Sequence, residues 1–206
     1  MDSAVGFLIF FPLFMVAVTV HELSHGWVAL QFGDETALRA GRLTLNPLRH
    51  IDLIGTLLLP LFLRVMGAPL VFGWAKPVPI HVASLRRPKQ DMLWVGAAGP
   101  AANFILAGVL ALILQGTKGF LPPILAELGK DLALINLVLG TFNLFPIPPL
   151  DGSRVLVGLL PIRFARLLLA LEPWGFLLVL LALALGMDDL FIRPVLGFLV
   201  RVLRLW

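Results

Sequence analysis

The sequence predicts an all-α polytopic membrane protein, and three observations carry that prediction. The 206-residue chain is 59% hydrophobic and only 14% charged, against roughly 45–50% and about 25% in ordinary soluble domains. Several apolar stretches are long enough, at about 1.5 Å per residue, to cross a hydrocarbon layer of about 30 Å. The cations fall in short loops between those stretches instead of forming one patch. With a mean hydropathy of +0.98, the chain has too few polar residues to cover a water-soluble surface. Disorder and fibrous repeats are excluded by the same composition. The absence of cysteine excludes disulfide scaffolds, Fe–S clusters and thiolate zinc sites. A net charge of +4 reflects loop cations facing lipid head groups, so membrane lipids are expected partners and nucleic acid is not.

The elements follow in order. Residues 4–32 form the first span, in which His21, Glu22 and His25 are the only ionisable groups. No basic residue precedes it, and its length exceeds that of a cleaved leader. The polar loop 33–52 holds Leu38, Ala40, Leu43 and Leu45, an alternation that predicts a β-strand or hairpin arm. Residues 51–73 are apolar but broken by Pro60, Arg64, Gly67 and Pro69, which predicts a re-entrant segment. The second span, 92–114, is rich in small residues that let helices approach closely. A third covers 132–145 and ends in Pro146-Ile147-Pro148-Pro149, and a fourth covers 164–185. The tail, 190–206, either crosses or lies in the interface as an amphipathic helix. Neither linker nor repeat divides the chain, so residues 1–206 read as one domain.

Topology follows from Lys and Arg. None precedes the first span, eight lie between Arg39 and Lys89, and Arg154, Arg163 and Arg166 follow the third. The positive-inside rule puts the N-terminus outside and residues 33–91 and 150–166 in the cytoplasm, with the strand and the re-entrant segment on that side.

Within the first span lies His21-Glu22-Leu23-Ser24-His25. On a helix, positions i and i+4 share a face, so both imidazoles can hold one zinc ion while Glu22 reaches a water there. Two imidazoles, one carboxylate and an open fourth position make a catalytic zinc site. The alternative is a buried polar cluster joining helices. Three ionisable groups at membrane depth each cost about 2.5 kcal/mol or more, which favours function. Asp151 is the candidate third ligand, because the prolines before it leave irregular backbone at the inner end of a span. Its other reading is an N-cap for a helix from Gly152 onward. Asn143 carries an amide able to donate to an oxyanion, or simply to a neighbouring helix. His50, His81 and Asn103 read as structural, Asn103 as a contact between helices.

These residues carry a resemblance. His21-Glu22-Leu23-Ser24-His25, the stretch Gly96-Ala97-Ala98-Gly99-Pro100-Ala101-Ala102-Asn103 and the segment Asn143…Leu150-Asp151-Gly152 occur together and in this order. In this the chain resembles the site-2 protease family of intramembrane zinc metalloproteases. Gly41-Arg42-Leu43-Thr44-Leu45-Asn46-Pro47 and Phe72-Gly73-Trp74-Ala75-Lys76-Pro77-Val78-Pro79 are similar to its compact branch, which lacks PDZ and CBS domains. The resemblance implies a three-helix core, one zinc ion per chain held by His21, His25 and Asp151, and Glu22 as the catalytic glutamate. It also implies that Asn143 contacts substrate or polarises the scissile carbonyl, and that 1–206 is a single intramembrane metalloprotease domain. The expected substrate is a transmembrane protein or peptide, met by the 38–45 strand through β-addition. A rival from another class is a transporter or inactive scaffold using His21, Glu22 and His25 as a proton or metal path.

Overall fold

The structure, a computed structural model, describes residues 3–66 and 73–205. Those residues are helical or irregular, with no β-strand among them. Helix α1 (Ser3–Gln31) ends where Gly33 takes φ +103°. Its left-handed backbone lets the Asp34 N–H bond back to the Ala29 carbonyl at 3.0 Å.

Turn chemistry overrides the alternation read at residues 38–45. Asp34 Oδ1 accepts the Thr36 N–H at 3.0 Å and opens a short helix, α2 (Thr36–Arg39). Glu35 and Arg39 pair along it at 2.8 Å. Gly41, at φ +63°, closes it through the Arg42 N–H to Ala37 carbonyl bond. The predicted strand or hairpin is therefore replaced by a helical turn and a loop. Four alternating apolar positions interrupted by a left-handed glycine cannot form a ladder.

The predicted re-entrant segment is also not found. Asp52 Oδ1 caps Ile54 and Gly55, and a wide π-helical run, Leu53–Leu58, continues directly into α3 (Leu59–Val65). Pro60 lacks the N–H that regular winding needs there, which accounts for the widened turn before it. The described part is a helical run over Leu53–Leu58 and Leu59–Val65, and residues 67–72 of that prediction lie outside the described residues.

Pro88 opens α4 (Pro88–Gly116), with Asp91 Oδ2 reaching back to the Arg87 N–H at 2.7 Å. Pro122 is the N-cap and Pro123 the first residue of α5 (Pro123–Asn143). After the Phe145–Leu150 break come α6 (Asp151–Leu159) and α7 (Ile162–Ala170). A turn at Glu172–Trp174 separates α7 from α8 (Gly175–Ala184), so Pro173 interrupts the fourth apolar span. Helix α9 (Arg193–Val202) ends the described fold.

Among the described residues, three helical stretches are long and apolar enough to cross a membrane: Leu8–Gln31, Pro88–Gly116 and Ile162–Ala184. The protein is a membrane protein on that ground. Helix α4 is the hub, packed against α1, α5 and α6. One apolar cluster joins Ala107 and Ala111 of α4 to Ala133 and Leu137 of α5. Val200 and Leu205 of the tail complete it, so α9 is docked through its apolar face on the helical core.

Candidate metal centre

His21 and His25 sit one helical turn apart on α1 and are 5% and 3% exposed. Asp151 is the first residue of α6 and is equally buried. The tertiary fold brings the three together. His21 Nε2 lies 3.0 Å from Asp151 Oδ2, His25 Nε2 lies 3.1 Å from the same oxygen, and the two Nε2 atoms are 3.1 Å apart. A tetrahedral zinc ion with bonds of about 2.0–2.1 Å separates its ligand atoms by about 3.3 Å. The donor triangle therefore fits that ion closely.

The hydrogen-bond partners of the two rings set which nitrogen faces Asp151. Asn103 Nδ2 donates to the Ala17 carbonyl at 3.1 Å and to Asn136 Oδ1 at 2.7 Å. Its Oδ1 is thereby left as an acceptor for His21 Nδ1–H at 2.6 Å. His25 Nδ1–H donates to the Val95 carbonyl at 2.6 Å. With each Nδ1 placed against a carbonyl or amide oxygen, Nε2 of each ring is the atom turned toward the Asp151 carboxylate. Three ligand atoms that lie 3.0–3.1 Å from one another are placed to share one cation. Orientation of metal-binding imidazoles through the other ring nitrogen is the usual supporting arrangement.

Glycine makes room for this. A Cβ on Gly99 of α4 would stand 2.5 Å from His25 Nε2 and 2.7 Å from His21 Nε2. Sequence reasoning took the 96–103 stretch as helix packing; at Gly99 the close neighbour is the donor pair itself. The N-cap reading of Asp151 falls away, since Leu150 is the N-cap residue and no side chain caps α6. Arg154 Nη1 lies 3.5 Å from the second Asp151 oxygen. It is 39% exposed, so water screening leaves this pair little weight in holding Asp151.

Glu22 is half-buried, and its Oε2 accepts the Val78 N–H at 2.7 Å. Asn143 Nδ2 donates to the Leu139 carbonyl of its own helix at 2.9 Å. His50 is fully buried and bonds the Thr44 carbonyl through Nε2, and His81 is exposed. Sequence reasoning missed Asn136 and gave Asn103 only a packing role. The signal for both was a buried amide on each of two neighbouring apolar helices, which need partners in lipid.

No family model and no solved structure matches the chain. Curated relatives do. The provisionally named zinc metalloprotease YwhC of Bacillus subtilis is 42% identical over 154 residues, covering 71% of this chain and 67% of its own. The chain belongs to the site-2 protease-like family of zinc metalloproteases. A second relative, the provisionally named zinc metalloprotease Rip2 of Mycolicibacterium smegmatis, is 33% identical over 75% of this chain and 58% of its own. Zinc metalloprotease MJ0392 of Methanocaldococcus jannaschii is 27% identical over 80% of this chain. The chain spans 38% of that longer protein. Zinc is the metal that this family and the His21, His25 and Asp151 donor set jointly support.

Proposed function

We propose that this chain is a zinc-dependent intramembrane endopeptidase, a single catalytic domain over residues 1–206 that cleaves peptide bonds in or near the transmembrane helix of a partner protein. The observation that carries the reading is the convergence of His21 Nε2, His25 Nε2 and Asp151 Oδ2 within 3.0–3.1 Å beside Glu22. His21, His25 and Asp151 are the proposed zinc ligands. When bound, zinc supplies Lewis acidity to the scissile carbonyl. Glu22 takes a proton from the attacking water and hands it to the leaving amine. Asn143 is the proposed donor to the developing oxyanion, a role in which its Nδ2 exchanges the Leu139 carbonyl for substrate.

Location supports a substrate within the bilayer. His21 lies 13 residues beyond Leu8, the start of the apolar stretch that ends at Gln31, or about 20 Å along the helix. The distribution of loop cations supports an N-terminus outside and a site in the cytoplasmic half of the membrane. A substrate helix keeps its amides in its own hydrogen bonds, so local unwinding precedes attack.

Cleavage of a single-pass substrate by the purified protein in detergent tests this. Glu22→Gln keeps zinc and abolishes cleavage, while His21→Ala and Asp151→Asn lose zinc. Cleavage that persists in Glu22→Gln, or in the presence of a strong chelator, overturns the proposal.

A further inference from the structure

Between Gly73 and His81 the chain is neither helix nor turn, yet it is tied down repeatedly. The Trp74 N–H donates to the Gly55 carbonyl at 3.1 Å, and the Trp74 carbonyl accepts from Thr56 Oγ1 at 2.8 Å. The Lys76 N–H donates to the His50 carbonyl at 2.9 Å. The Lys76 carbonyl accepts from Arg42 Nη2 at 2.7 Å, and Arg42 is itself buried. The His81 N–H reaches Asp34 Oδ2 at 2.7 Å. Between these anchors, the Val78 N–H reaches Glu22 Oε2.

Trp74, Lys76 and Val78 alternate along the segment, so their polar groups share one edge of an extended chain. Pro77 and Pro79 flank Val78 and have no N–H. Val78 is thus the sole amide donor across these three residues. Its side chain is buried where α1 carries Gly26, at which a Cβ would stand 2.9 Å from Val78 Cγ1. The approach of α1 and the segment is close there, one residue after His25.

A glutamate has three rotatable bonds, and a carboxylate that must meet a water at one angle gains from a fixed partner. We infer that Val78 is a positioning residue for catalysis: its backbone N–H holds Oε2 of Glu22, so that Oε1 is presented to the reacting water. Segment 73–81 is then part of the catalytic apparatus, held in register by Asp34 and Arg42. This inference rests on Glu22 being the proton carrier. It makes the amide hydrogen at 78 matter more than the side chain.

The test uses the full chain in detergent with a single-pass substrate. Replacing the Pro77–Val78 amide by an ester removes that N–H alone, Val78→Pro removes it by mutation, and Val78→Ala keeps it. The ester and Val78→Pro lower kcat by about 10-fold or more, in line with the cost of misplaced catalytic groups. KM and zinc stoichiometry stay within about two-fold, and Val78→Ala retains kcat within about three-fold. If Val78→Pro fails to fold, the ester alone decides. An ester form with wild-type kcat overturns the inference, as does one that loses zinc or changes only KM, which would assign Val78 to holding the fold. Activity in Glu22→Gln removes the reading of Glu22 instead, so the two failures are distinguishable.

Discussion

His21 Nδ1 and Asn103 Oδ1 stand 2.6 Å apart in the buried interior, joining α1 to α4 at the donor set. Asn103 continues the chain of bonds to Asn136 Oδ1, and Asn136 Nδ2 ends it on the Leu132 carbonyl at 2.8 Å. Each amide has its orientation set by the next, so one ring tautomer at His21 is specified by residues on two other helices.

Asn103→Ala removes that specification and leaves buried donors and acceptors unpaired. Zinc affinity falls by about 10- to 100-fold, read by competition with a chromogenic chelator. Unchanged affinity would show that His21 holds its tautomer without Asn103.

Gly99→Ala puts a methyl group where the two Nε2 atoms already lie within 2.7 Å of its expected position. The imidazoles or α4 must then shift. A misplacement of about 1 Å costs on the order of 100-fold in rate, and zinc stoichiometry falls with it. Gly108→Ala is the control, because nothing lies within 4 Å of a Cβ there. Equal zinc retention in the two variants would refute the role of Gly99.

Asp34 gives a pH dependence. Burial pushes its carboxyl up, but bonds from Thr36 Oγ1, the Thr36 N–H and the His81 N–H outweigh burial and hold it below the ordinary carboxylate value. A lowered folded-state value stabilises the protein above the unfolded pKa of about 3.9. That stabilisation is lost as pH falls through this range toward the folded value. Asp34→Asn therefore lowers the unfolding midpoint in detergent near pH 7 and flattens its decline below about pH 4. Parallel curves for the two proteins would rule Asp34 out as the source.

Long-range apolar pattern was legible in the sequence, and local turn geometry was less so. The spans read at 4–32 and 92–114 correspond to α1 and α4, because runs of this length leave no other way to satisfy the backbone in lipid. The break at Pro146–Pro149 was equally visible, since proline acts locally. The 38–45 strand failed because Asp34 and Gly41 dictate a turn that apolar alternation does not register. The re-entrant reading of 51–73 is not supported: Asp52 caps a helical run there, and residues 67–72 lie outside the described residues.

The sequence by itself determined that His21 and His25 share a helix face inside an apolar span, because helical periodicity and lipid exclusion depend only on nearby residues. Only the tertiary structure decided that Asp151, 126 residues beyond His25, shares their focus. The same is true of Asn103 orienting a ring, of Gly99 clearing space and of Val78 meeting Glu22. Those are distances between separate segments, fixed by how α1, α4, α5 and α6 pack, and no spacing along the chain encodes them.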